Sequence, residues 1–267
     1  MTQTLTVGLL KNSTNTPFVD VVHQTLQAAE INVLIQYFDN QDVLQKAVVE
    51  GTIQTYACPL NLAPLTLPLG LVIAALSERK SAQNCLVTKN TEGGQIQKVF
   101  TLSDIDCALM QYLQPEYIVE NRTSTPLSNI IGLRFEDCDA VVLSRFDADI
   151  LFLEQHIWQI QPFSVREFTP SAGQGVVCFI AAEDDLPTRR LLKNAHHPSV
   201  SLLTNIERTI QKTLKDYAVN AYCERDRMGN YHLWAAALVN GELRKTRLSQ
   251  STTFGLAQKV CEQLLSV

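Results

Sequence analysis

The seven cysteines of this 267-residue chain (58, 85, 107, 138, 178, 223 and 261) are odd in number and include no C-x-x-C pair. That spacing excludes a paired-cysteine zinc motif and argues against a disulfide framework, leaving reduced thiols that serve mostly as small core hydrophobes. Histidine is equally sparse. Of the five, only His196 and His197 are adjacent, directly before Pro198, and adjacent side chains on an exposed turn rarely converge on one ion, so no metal site is expected. Positive charge is also short: 22 Lys and Arg stand against 27 Asp and Glu, giving a net charge of −5 and a pI of about 5.6. No nucleic-acid partner is expected from that balance. The longest apolar run, around Leu65 to Leu76, is too short and too interrupted by proline to span a membrane, and the first seven residues lack the positive region and apolar segment of a secretion signal. A cytoplasmic location with no membrane partner is therefore the expectation.

What the chain does have is a hydrophobic content of 46%, enough for two or three compact lobes. Thr4 to Leu10 alternates polar with apolar as a strand does, and Pro17 to Ala29 reads as a helix with proline in its first turn. A strand at Ile31 to Tyr37, a helix at Asp42 to Glu50 ending at Gly51 and a buried strand at Thr55 to Pro59 follow, which argues for a mainly parallel sheet covered by helices. The pattern restarts near Asn84, with strands at Cys85 to Val87, Tyr117 to Glu120 and Ala140 to Leu143 and a helix at Ser103 to Leu113. Another apolar strand spans Gly175 to Ala181. The remainder changes character: a helix from Ser199 to Leu214, strands at Tyr217 to Glu224, Tyr231 to Val239 and Leu243 to Leu248, and a closing helix from Thr253 to Leu265. Asn240-Gly241 between two alternating runs is a hairpin signal, because both central positions of that turn favour positive φ.

Two stretches carry a resemblance to a known family. Leu67-Pro68-Leu69-Gly70-Leu71-Val72-Ile73-Ala74-Ala75-Leu76-Ser77-Glu78-Arg79 and Ser171-Ala172-Gly173-Gln174-Gly175 resemble framework motifs of porphobilinogen deaminase, also called hydroxymethylbilane synthase. Weaker matches follow in the same order, at Asp139 to Leu143, Ala182 to Asp185, and His197-Pro198 with Glu207-Arg208. The resemblance covers nearly the whole chain. It implies two periplasmic-binding-protein-like α/β lobes joined by crossovers, residues 1–83 with about 176–195 and residues 84–175, plus a small α+β domain at 196–267 with a three-stranded antiparallel sheet.

The chemical motifs of that family are missing. Its H-S-M-K-D segment falls on Cys58-Pro59-Leu60-Asn61-Leu62, so the catalytic aspartate position is Leu62, which can neither stabilise a cation nor move a proton. The G-G-C-x-x-P-x-G loop that in that family anchors the dipyrromethane cofactor through a thioether has no counterpart between Leu214 and Tyr217, so no cofactor is expected. Cys223 reads as a core or edge thiol rather than an anchor. Of the cations that hold the cofactor's carboxylates, the resemblance retains Lys11, one position displaced, and Arg122, whereas two arginines are replaced by Ile105 and Asp106. Each lost bidentate contact is worth about 1.5–3 kcal/mol.

The candidate anion- or ligand-binding set is therefore Lys11, Ser13, Ser103, Arg122, Arg145 and Gln174. Arg145 follows an apolar strand and either enters the cleft or pairs with Asp147 or Asp149; Ser13, Thr14 and Thr16 either hold an anion at a helix start or cap that helix. Gly173 and Gly175 read first as a tight turn between lobes. Three functions stay open: a homologue without normal deaminase activity that binds a small anionic ligand or a protein of the tetrapyrrole pathway, an enzyme condensing porphobilinogen without a covalent primer through Lys11, Arg122 and Arg145, or a two-lobed binder of an unrelated small anion.

Overall fold

In the computed structural model, residues 3–11, 16–89, 95–122, 137–148 and 158–266 are described. Along the chain the described elements are β1 (Thr4–Leu10), α1 (Thr16–Ala28), β2 (Asn32–Phe38), α2 (Gln41–Val49), β3 (Thr55–Pro59), β4 (Leu71–Leu76), β5 (Asn84–Lys89), β6 (Lys98–Thr101), α3 (Asp104–Leu113) and β7 (Ile118–Asn121). There follow β8 (Ala140–Ser144), α4 (Arg145–Ala148), β9 (Trp158–Pro162), β10 (Val177–Ala182), α5 (Leu186–Leu192), α6 (Pro198–Thr213), β11 (Ala218–Arg225), β12 (Tyr231–Val239), β13 (Glu242–Gln250) and α7 (Leu256–Leu265). Two compact units result, Met1–Lys80 with Gly173–Leu202, and Ser81–Ala172 with Leu203–Val267.

The first unit holds a five-stranded sheet in the order β2-β1-β3-β10-β4. β1 runs parallel to β2 and β3, but β10 is antiparallel to both β3 and β4. The sheet is thus mixed, with four strands in one direction and β10 opposed in their midst. All six β10 residues are buried, which explains their apolar sequence: a central strand covered on both faces cannot alternate. The helices start where their sequences place caps. Asn40 Oδ1 accepts from the Asp42 N–H at 2.7 Å at the start of α2, and Asp185 Oδ1 accepts from Thr188 N–H at 3.1 Å at the start of α5.

The second unit holds a five-stranded sheet ordered β7-β6-β8-β5-β9 and a three-stranded antiparallel sheet ordered β11-β12-β13. Here β5 is the opposed strand, antiparallel to β8 and β9. Asn240 and Gly241 both take positive φ, 54° and 83°, at the β12–β13 hairpin, the turn that the Asn-Gly pair predicts. One face of the three-stranded sheet is sealed by Ile206 and Ile210 of α6 and Leu256 and Val260 of α7. On the other face Ala236 joins one core with Leu109 and Met110 of α3 and with Phe168. That shared core joins the C-terminal sheet to residues 81–172 in one compact unit.

Gly173 marks the start of the return to the first unit. Its φ of +79° lies in the left-handed region, and a Cβ there would stand 2.8 Å from Leu60 Cγ. Close approach is enforced by the Leu60 N–H, which donates to Val176 O at 2.8 Å. We expect Gly173→Ala to destabilise by about 1–3 kcal/mol in denaturant titration, and Leu60→Ala to recover part of that loss in the double variant.

Candidate functional site

In the first unit, the segment expected to carry the acid forms a short 3-10 turn, Leu60–Leu62, directly after β3. Leu60 is buried in the sheet's core, whereas Leu62 is 67% exposed. Leu62 therefore presents an alkyl group to solvent where a catalytic carboxylate is expected. Gln174 is buried in the turn before β10, and that turn is held from outside: Lys80 N–H donates to Gly175 O at 2.8 Å, and Ser77 Oγ accepts from Val177 N–H at 3.0 Å. Lys11 forms an exposed ion pair with Asp39 at 2.8 Å. Ser13 and Thr14 lie outside the described residues.

His196 and His197 serve the backbone. The Leu76 N–H donates to His196 Nδ1 at 3.1 Å and the His197 N–H donates to Leu76 O at 3.0 Å. Burial, reinforced by the neighbouring His197, pushes the His196 pKa down, which favours the neutral ring that this acceptor role needs. Together with Glu78, Lys80 and Gln24 the two imidazoles line a cavity of about 390 Å³, within the size range of small-molecule sites. No cluster of three metal-binding side chains occurs among the described residues.

In the second unit, Ser103 caps α3, its Oγ accepting from the Asp106 N–H at 3.1 Å. Asp104 and Asp106 both sit in the first helical turn. Backbone amides and the helix dipole at that terminus favour negative charge, and the chain supplies it from its own side chains. Asn220, 2% exposed, donates from Nδ2 to Asp106 Oδ1 at 3.0 Å and to Thr169 O at 2.9 Å. Ser171 Oγ completes the cluster by donating to Asn220 Oδ1 at 3.2 Å. Burial pushes the Asp106 carboxyl up to about 6, against the lowering effect of its bonds with Ser103 and Asn220.

Arg122 and Arg145 belong to this unit as well. Arg122 bonds Glu120 at 2.9 Å and lies 4.6 Å from the Phe100 ring centroid, while Lys98 holds the other Glu120 oxygen at 2.9 Å. Arg145 opens α4, with its backbone N–H donating to Gln83 O at 2.8 Å. Asp147, one of its two expected partners, bonds Ser144 Oγ at 2.6 Å; Asp149 and the stretch 123–128 lie outside the described residues.

In the C-terminal sheet, Cys223 is wholly buried and its N–H donates to the buried Glu207 carboxylate at 2.8 Å. That makes it a core thiol between α6 and the sheet. Four residues, Leu214 to Tyr217, join α6 to β11, closed by Leu214 N–H to Ile210 O and Tyr217 N–H to Leu214 O. A Ser249–His232–Asp226 chain, with contacts of 2.7 and 3.0 Å, has the residue types of a nucleophile relay, but Asp226 also accepts from the N–H groups of Met228 and Asn230 and so braces the β11–β12 turn.

The sequence pattern did not bring Asn220, Thr169 and Ser171 to Asp106. Asn220 lies 49 positions from Ser171, 51 from Thr169 and 114 from Asp106, separations that leave no local signal.

The raised Asp106 pKa has a stability consequence. Between the unfolded value near 3.8 and the folded value of about 6 the native state binds the extra proton, so this group's contribution falls as pH rises through that window. We expect Asp106→Asn to raise stability at pH 7–8 by up to about 3 kcal/mol, from two pKa units at 1.36 kcal/mol each, with the gain vanishing below pH 4. Denaturant melts of both proteins across pH 4–8 measure it.

A family model described as "Porphobilinogen deaminase, dipyromethane cofactor binding domain" matches residues 20–190. A porphobilinogen deaminase of Sulfurimonas denitrificans is 26% identical over 176 residues, covering 64% of this chain and 56% of that protein. One from Chloroherpeton thalassium is 30% identical over 181 residues, covering 64% and 55%. The chain thus spans rather more than half the length of these relatives. Among solved structures, the VFT2 domain of Bordetella pertussis BvgS aligns over 72% of this chain and 86% of that one at 16% identity and a TM-score of 0.49. With the family model matching well over half of its length, the chain belongs to the porphobilinogen deaminase family.

Proposed function

We propose that this family member does not carry out porphobilinogen polymerisation and works instead as a cytoplasmic binding protein of tetrapyrrole metabolism, taking a small anionic ligand or a protein of that pathway. The observation that carries the reading is the four-residue connection between α6 and β11, which leaves no loop to hold a cofactor cysteine. The residues present do not fit a covalent dipyrromethane: Cys223, the nearest thiol in sequence, is a core side chain. Three further features support the reading. An exposed Leu62 replaces the acid, Asp104 and Asp106 occupy the helix terminus where external carboxylates would be held, and both Lys11 and Arg122 are paired with acids of the chain.

The test is to purify the protein, record its intact mass and incubate it with porphobilinogen. The expected outcome is the bare polypeptide mass, no colour with Ehrlich's reagent and undiminished porphobilinogen. A mass excess of one dipyrromethane, or consumption of porphobilinogen that Arg122→Ala abolishes, would overturn the proposal in favour of an enzyme. Thermal shift against carboxylic acids and porphobilinogen tests the binding half, because a ligand of the native state raises the midpoint by mass action; no shift with any of them leaves the protein partner, to be sought among the pathway's enzymes by co-purification.

A further inference from the structure

The insertion of β10 between β3 and β4 sets two cysteines face to face. Cys58 and Cys178 are direct register partners of the antiparallel β3–β10 pair, with their Sγ atoms 3.3 Å apart although the residues are 120 positions apart in sequence. Cys178 is fully buried and Cys58 partly exposed, and neither is in a disulfide. They are also the two cysteines of the first compact unit, since the other five fall in the second. A disulfide requires the sulfurs to close to about 2.05 Å, a movement of little more than 1 Å that side-chain rotation and slight strand adjustment can supply.

We infer that Cys58 and Cys178 form a reversible dithiol–disulfide site, oxidised by hydroperoxides. Exposure assigns the order of events. The Cys58 thiolate attacks the terminal oxygen of a hydroperoxide: an S–O bond forms, the O–O bond breaks, and the departing alkoxide or hydroxide takes a proton, giving a sulfenic acid. Cys178 then attacks the Cys58 sulfur; the S–S bond forms, the S–O bond breaks, and hydroxide leaves with the Cys178 proton as water. Two thiols and one hydroperoxide yield one disulfide, one alcohol or water, and one further water. Reduction by a small thiol reverses it through a mixed disulfide. The bond would tie the end of β3 to the start of β10. Those two points flank the Leu60–Leu62 turn and the Gly173–Gly175 turn, already joined by the Leu60 to Val176 hydrogen bond, so oxidation locks the two turns together.

The site is tested on the full chain by exposing fully reduced protein to hydrogen peroxide, quenching with an alkylating agent under denaturing conditions and mapping peptides by mass. The expected result is a fall of two in the count of seven alkylatable thiols, a loss of two hydrogens in intact mass, and a cross-linked peptide pair containing Cys58 and Cys178. Dithiothreitol should restore all seven, and the rate should rise with pH as the thiolate fraction grows. Cys58→Ser and Cys178→Ser should each lose the cross-link, whereas Cys107→Ser should keep it. Seven alkylatable thiols after treatment, oxidation of Cys58 to sulfinic acid without the cross-link, or a disulfide formed between other cysteines in its place would each overturn the inference. If either serine variant fails to fold, the peptide map of the wild-type chain decides the matter alone.

Discussion

The pairing of β10 with both β3 and β4 is the constraint on which the first unit depends. β3 and β4 do not touch each other in the sheet order; they are neighbours only through a strand that arrives about a hundred residues later. Because β10 is buried on both faces, its apolar side chains contribute to the core above and below while its backbone satisfies two ladders. The Gly173 conformation, the Leu60 to Val176 bond and the juxtaposition of Cys58 with Cys178 all follow from that insertion. Folding of this unit therefore requires a long-range closure, and the residues flanking β10 are held more tightly than their turn-like sequence suggests.

The second theme is electrostatic self-sufficiency. In this chain Lys11 forms an exposed ion pair with Asp39, and Arg122 is paired with Glu120. Lys98 and Arg122 share Glu120 above Phe100, and the α3 terminus is occupied by Asp104 and Asp106. The Asp106 cluster has a cost, since its carboxyl is driven up by desolvation, but it ties α3 to the segment before Gly173 and to the first residues of β11 through Asn220.

Much of the fold was legible in the sequence. Thr4–Leu10, Thr55–Pro59 and Tyr231–Val239 are strands on the residues where pattern places them, and the Asn240-Gly241 turn takes the positive φ values its residues favour. Five elements were not. β4 runs through a motif whose proline and glycine suggest irregular chain, β6 is only four residues long, α4 is a single turn of four residues, β9 is a short edge strand, and α5 carries Arg189 and Arg190 where a buried stripe would be apolar. Each is fixed by its partner: an edge or short strand gains its hydrogen bonds from a neighbour remote in sequence, not from its own propensity.

The sequence alone determined the family framework and the alternation of strands and helices, because these are statements about which residues occur and in what local order. Tertiary structure decided what the surviving groups do. Burial is a property of packing, so only the fold shows Leu60 inside and Leu62 outside, Cys223 in a core, and Asp106 desolvated among Asn220, Thr169 and Ser171. Register is likewise a property of pairing, and it alone brings Cys58 and Cys178, 120 positions apart, to within 3.3 Å.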